Sequence, residues 1–118
     1  MNRHARRTHV LAIALAAVVG LGGAACSSGG GATATAPANI AIKNFAFTPS
    51  PATLKTGQTV RVRNNDDTTH TFTADDGSFD SGPIAGGTTA SVAPRHAGDI
   101  HYHCSIHTYM TGTLHISG

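Results

Sequence analysis

Tryptophan is missing from this 118-residue chain, tyrosine, cysteine and methionine occur only twice each, and charged residues make up 12 % of it. With so few large aromatic side chains a small domain buries only a modest core, and such domains commonly lean on a disulfide or a bound metal. A disulfide is not expected: with Cys26 carrying lipid, or simply sitting on a Gly/Ser/Ala tether, Cys104 has no partner. A lone thiol in an oxidising compartment needs another explanation, and a metal is one. Long hydrophobic runs are also lacking. The apolar stretch from Val10 to Val19 is too short to anchor the chain permanently across a bilayer. Nor does any segment sustain a helical period, which leaves strands as the structural elements.

What stands at the beginning reads as an export leader. Residues 1–25 combine a positive start (Arg3, Arg6, Arg7), the apolar run and the small residues Gly22, Gly23, Ala24 and Ala25. Cys26 follows at once, in "LGGAACSSGGG", which resembles the lipobox of bacterial lipoproteins; ordinary cleavage nearby is the alternative. The Arg6-Arg7 pair resembles a twin-arginine leader. Residues 26–38 hold only Cys, Ser, Gly, Ala, Thr and Pro, and read as a flexible tether between a possibly lipidated Cys26 and a folded domain at 39–118. Either leader implies an extracytoplasmic protein, at the cell surface or in the periplasm. The domain holds Lys43, Lys55, Arg61, Arg63 and Arg95, five cations against six aspartates, for a balance of −1 with histidine neutral. Without a basic stripe, a nucleic-acid partner is not expected.

Alternating hydrophobicity marks the strands. "NIAIKNFAF" alternates; "TVRVRN" sets Val60 and Val62 on one face and arginines on the other; "HTFTA" puts His70 and Phe72 on a common side. "DIHYHC" does the same with Ile100, Tyr102 and Cys104, and "TLHIS" with Leu114 and Ile116. Turn residues fall between these runs, at Pro49 to Pro51, Gly57, Asn64 to Asp67, Asp75 to Gly77, Gly82-Pro83, Gly86-Gly87 and Gly98. Short strands so spaced predict an all-β, two-sheet Greek-key sandwich.

Three of the eight histidines, a cysteine and a methionine crowd into "HYHCSIHTYM", residues 101–110. The spacing C-x2-H-x2-M lets one short turn direct the Cys104 thiolate, the His107 imidazole and the Met110 thioether at a common point. That donor set suits copper: sulfur ligands favour Cu(I), imidazole also suits Cu(II), and a His2Cys plane with a weak axial Met is the blue-copper arrangement. Zinc takes Cys and His but rarely a thioether, so Met110 argues against it. A second histidine is required, and His70, after the turn "NNDDTT", is the candidate.

These stretches together resemble the cupredoxins, the small blue copper proteins of the plastocyanin and amicyanin type. "FAFTPSPATLKTGQTVRVRNNDDTTH" fits their pattern F-x-P, G-x-x-V, N-x-D-x-x-x-H with Asn64, Asp66 and His70 in register; "DDGSFDSG" is similar to their middle segment, and "GDIHYHCSIHTYMTGTLHI" to their last two strands and ligand loop. The resemblance implies one copper ion held by His70, Cys104 and His107 with Met110 axial, and a monomeric one-electron carrier between redox protein partners. It also implies an exposed His107 as electron port, with Ile106, Tyr109 and Pro83-Ile84 near the docking surface. Arg63 departs from a common Trp, Pro94 from a common aromatic, and Thr71 from the Asn that ties the two ligand loops together. An enzyme is not expected: Ser105 breaks the His-Cys-His run of multicopper oxidases, and the second domain that completes a nitrite reductase site is lacking. Copper delivery is the alternative function. His101 and His103 share one strand face with His115 on a neighbouring strand, a set that reads either as a metal-handling patch or as a solvated face.

Overall fold

The computed structural model describes residues 35–118; the leader read at 1–25 and the stretch of tether that includes Cys26 lie outside the described residues. Eight strands follow in order: β1 (Ala38–Lys43), β2 (Ala46–Thr48), β3 (Ala52–Lys55), β4 (Val60–Asn64), β5 (Thr73–Ala74), β6 (Thr89–Val92), β7 (Gly98–His103) and β8 (Thr111–Ser117). They build two four-stranded sheets, β2-β1-β4-β6 and β3-β8-β7-β5. β1 runs parallel to β4 and β3 to β8, while the other pairings are antiparallel. Between β2 and β7 every connection passes from one sheet to the other, the winding of a Greek-key sandwich.

Period-two alternation decides which side chains meet between the sheets. β1 turns Ile40 and Ile42 inward, β4 Val60, Val62 and Asn64, β7 Ile100 and Tyr102, and β8 Leu114 and Ile116. Arg61 and Arg63 point to solvent from β4. An aromatic cluster lies between the sheets. Tyr102 packs against Phe72 at 4.3 Å and Phe47 at 5.0 Å between ring centroids, and Phe79 stacks on Phe72 at 5.1 Å. Such contacts stabilise by about 0.5–1.5 kcal/mol per pair beyond the area buried.

Two segments differ from the sequence reading. "NIAIKNFAF" is not one strand but a hairpin: Lys43 pairs with Ala46, and the two residues between them, Asn44 and Phe45, take φ of 52° and 58°. Two-residue connections favour positive φ at both positions because only that twist matches the flanking strands. Asparagine enters this region readily, whereas for phenylalanine it costs about 1–2 kcal/mol. "HTFTA" is a strand only at its end, Thr73–Ala74. Upstream, the backbone turns to the loop at 81–84 instead of a sheet ladder. His70 and Ile84 exchange N–H···O bonds of 3.1 and 2.7 Å, and the Phe72 N–H donates to Ser81 Oγ at 2.8 Å.

The aromatic cluster imposes one sequence requirement on β8. Gly112 lies directly opposite Tyr102, and a Cβ there would come within 2.3 Å of the phenol's Cζ and hydroxyl oxygen. Only glycine lets β8 pass over that ring. Gly112→Ala is therefore expected to destabilise the fold by about 1–3 kcal/mol in urea denaturation, and by less in a Tyr102→Leu background, where the obstructing atoms are gone.

Candidate metal centre

The centre is assembled from two loops at one end of the sandwich. β7 delivers Cys104 as its first residue beyond the ladder, and the turn after it is closed by two backbone bonds: Cys104 N–H to the Met110 carbonyl at 3.0 Å, and Met110 N–H to the His107 carbonyl at 2.9 Å. This tight loop brings Cys104 Sγ and His107 Nδ1 to 3.9 Å. His70 arrives from the loop after β4, its Nδ1 3.8 Å from Cys104 Sγ and 3.2 Å from His107 Nδ1. Cys104 and His70 are fully buried, His107 partly so. Met110 is buried at the end of the same turn.

Three ligand atoms at these separations form a triangle whose circumcentre lies about 2.1 Å from each, within the ~2.0–2.3 Å span of metal–imidazole and metal–thiolate bonds. Among the described residues, His70, Cys104 and His107 are the one group of three or more His, Cys or acidic side chains whose ligand atoms converge this closely. The residues fit a metal ion, and the two-nitrogen, one-sulfur donor set with a nearby thioether fits copper.

Hydrogen bonds orient two of the candidate ligands, His70 and Cys104. Asp66 Oδ2 meets His70 Nε2 at 3.0 Å; the carboxylate only accepts, so the imidazole proton sits on Nε2 and the Nδ1 lone pair faces the centre. Cys104 Sγ accepts the backbone N–H of Thr71 at 3.3 Å and of His107 at 3.4 Å. The Thr71 hydroxyl accepts the Ser105 N–H at 2.7 Å and bonds the hydroxyls of Ser105 and Thr73 at 2.8 and 2.9 Å. Thr71 thus joins the His70 and Cys104 loops.

Asp66 also reaches the hairpin turn. Its carboxylate accepts the N–H of Asn44 at 2.7 Å and of Phe45 at 2.9 Å, so one buried acid holds the strained turn and a ligand imidazole together. Burial raises its pKa, but the Phe45 and Asn44 amides and His70 outweigh that and leave it below the ordinary 3.8. Asn64 shapes the intervening loop by donating to the carbonyls of Thr68 and Ile84, both at 2.8 Å, and accepting the Asp66 N–H at 3.0 Å. Gly86 lets the neighbouring loop press in: a Cβ there would lie 2.7 Å from the carbonyl oxygens of Asp66 and Asp67.

The four sequence candidates thus lie at one end of the fold, three with converging ligand atoms. The reading missed Phe45, whose ring stands edge-on to both His70 and His107 with centroids 5.0 Å away. Its signal is hidden because an Asn-Phe turn contains no glycine. Ile84, expected near the surface, is instead buried, since its backbone bridge to His70 turns its side chain into the core.

Asp66→Ala is expected to lose about 2–4 kcal/mol of stability, because three donors lose a charged acceptor. A carboxylate with a depressed pKa stabilises the fold above its unfolded value and ceases to do so as pH falls through its folded one. The gap between wild type and variant in urea denaturation should therefore hold from neutral pH down to about 3.8 and shrink below it.

Comparison with known proteins agrees with this geometry. The family model described as a cupredoxin-like domain matches residues 11–116. No curated protein matches the chain in sequence. Among solved structures, a Cu(I) form of an amicyanin mutant superposes with a TM-score of 0.65 at 20 % identity, covering 71 % of this chain and 85 % of that one. The oxidised state of another amicyanin mutant gives 0.64 at 20 % identity, covering 69 % and 82 %. At this identity the likeness speaks for the fold, and the family match spans most of the chain: it belongs to the cupredoxin-like domain family.

Proposed function

We propose that the protein is an exported one-electron carrier that holds a single copper ion through His70, Cys104 and His107, with Met110 as the weak axial ligand. The observation that carries this reading is the triangle of two imidazole nitrogens and one thiolate sulfur, of metal-bond radius, in a chain of the cupredoxin family. Copper bound there supplies a Cu(I)/Cu(II) couple. The chain's part is to hold the ligands still and keep water out. Asp66 pins His70, two amides pin the Cys104 sulfur, and Thr71 locks the two loops to each other. Ligand atoms so restrained keep their places when the charge changes, which lowers the reorganisation barrier to electron exchange.

His107 is the one ligand imidazole with access to solvent, and an apolar surface surrounds it. Phe45, Ile106 and Tyr109 are 38, 52 and 71 % exposed, whereas large hydrophobic side chains elsewhere in the described residues are covered. A redox protein partner docking there comes within reach of the His107 ring. Such an apolar patch suits docking of a protein partner. The leader at 1–25 and the tether at 26–38, with Cys26 as its lipid attachment point, complete the proposal: a monomeric domain, 39–118, working outside the cytoplasmic membrane and anchored to it.

The copper-loaded, oxidised protein should show the intense visible thiolate-to-copper absorption, and Cys104→Ser should abolish it while still folding to the same circular dichroism. A colourless metal-replete protein overturns the proposal. Ile106→Lys should slow electron self-exchange between two copies, followed by NMR line broadening, by about tenfold or more at low salt, because two like charges then meet at the contact.

A further inference from the structure

A second group of imidazoles lies on the opposite face of the strand that delivers Cys104. Alternation along β7 sends Ile100 and Tyr102 inward and Asp99, His101 and His103 outward. β8 and β5 flank this strand. His115 sits directly across from Asp99, Thr113 across from His101, and Thr73 across from His103. His101 therefore has His103 about 7 Å along its own strand and His115 about 7–8 Å away on the diagonal of the next.

The three rings share one further property. His103 Nδ1 bonds Asp75 Oδ1 at 2.5 Å, His115 Nδ1 bonds Asp99 Oδ1 at 2.6 Å, and His101 Nδ1 bonds Thr113 Oγ1 at 3.0 Å. A carboxylate accepts only, so the neutral rings of His103 and His115 carry their proton on Nδ1, and the hydroxyl can hold His101 the same way. In each ring the Nε2 lone pair is then the free one. An acceptor behind one nitrogen is the support that fixes the orientation and raises the basicity of metal-binding histidines. A merely solvated strand face has no need of it, still less in three rings out of three.

We propose that this face is a second metal site, which takes a borderline divalent cation, Cu(II) above all, on the Nε2 atoms of His101 and His103, with His115 as a third donor. Asp75 and Asp99 act as positioning residues. The site is open: among the described residues three ligand atoms converge within 4.8 Å only at His70, Cys104 and His107. Binding therefore draws the rings together by rotation of exposed or partly exposed side chains, and Asp75 and Asp99, exposed themselves, can follow the rings they hold. Imidazole sites favour Cu(II) over the other first-row divalent ions. An ion held by two or three solvent-facing imidazoles also exchanges readily, as a loading or buffering site must and a buried electron-transfer centre must not. The two sites share no donor atom, so the second can take an ion when the first is empty.

The test is a Cu(II) titration of the full-length protein that already carries its first equivalent, followed by electron paramagnetic resonance. A second equivalent is expected, with the wide copper hyperfine splitting of an ordinary nitrogen-ligated Cu(II). The double substitution His101→Ala/His103→Ala should raise its Kd by about 100-fold and Asp75→Asn by about tenfold, with His96→Ala, on an exposed loop, leaving it unchanged. The same titration of Cys104→Ala should return one equivalent of unaltered affinity. No second equivalent, or one whose Kd the double substitution leaves within about twofold, overturns the proposal. A protein that never turns blue yet binds Cu(II) at this face would refute the electron-carrier reading and leave this one standing.

Discussion

The carboxylate of Asp66 is the constraint on which the metal end of this molecule depends. A buried carboxylate is destabilising by several kcal/mol unless donors surround it. Here the donors come from two separate pieces of chain: the Asn44 and Phe45 amides of the β1–β2 turn, and the His70 ring. None is redundant. If the turn relaxed to negative φ its amides would swing away from the acid; without the acid, the strain of a phenylalanine at φ 58° would lose the two hydrogen bonds that offset it. The outcome is a coupled unit in which a hairpin far from Cys104 in sequence sets the tautomer of a candidate ligand and places an aromatic edge against both imidazoles.

The sulfur side is built on the same logic with weaker groups. Thr71 donates its amide to Cys104 Sγ and lends its hydroxyl to Ser105, one residue past the cysteine. A residue next to one ligand thus clasps the residue next to another. The hydroxyl network runs on through Thr73 to Asp80, so the clasp ends on a carboxylate at the surface. Two loops that could drift independently become one body, fastened through the first sheet by Asp66 and through the second by β7.

Much of this was legible in the sequence, and the gaps have physical causes. Strands with one face buried announce themselves by alternation, which is why β4, β7 and β8 fall where the pattern places them. The C-x2-H-x2-M spacing signals a shared turn because few other structures need a thiol, an imidazole and a thioether so close together. His70 is different: an isolated histidine in a polar run has no local signature, so its place after a turn makes it only a candidate, and the family pattern around it carries the assignment. The hairpin escaped because its strain is relieved by an acid some twenty residues away instead of by a glycine on the spot. Residues 70 to 72 looked like strand because their polarity alternates, yet their backbone bonds go to a loop whose position no local pattern reveals. Ile84 was placed near the docking surface by the family resemblance, which does not tell that the side chain of this bridge residue is buried.

β7 shows why one short segment can carry so many soft and basic side chains without conflict. Its period of two sends Tyr102 into the core and delivers the Cys104 thiol to a dry, buried position, while His101 and His103 go to the other side. The partition is enforced by register. A one-residue slip against β8 would bring the imidazoles into the core and expose the cysteine, a rearrangement that would bury polar rings without partners. The close passage of Gly112 over Tyr102 leaves room for only one pairing at that point. The aromatic core packing therefore also keeps two sets of candidate metal ligands apart, and it does so through a residue, Gly112, that carries no donor side chain.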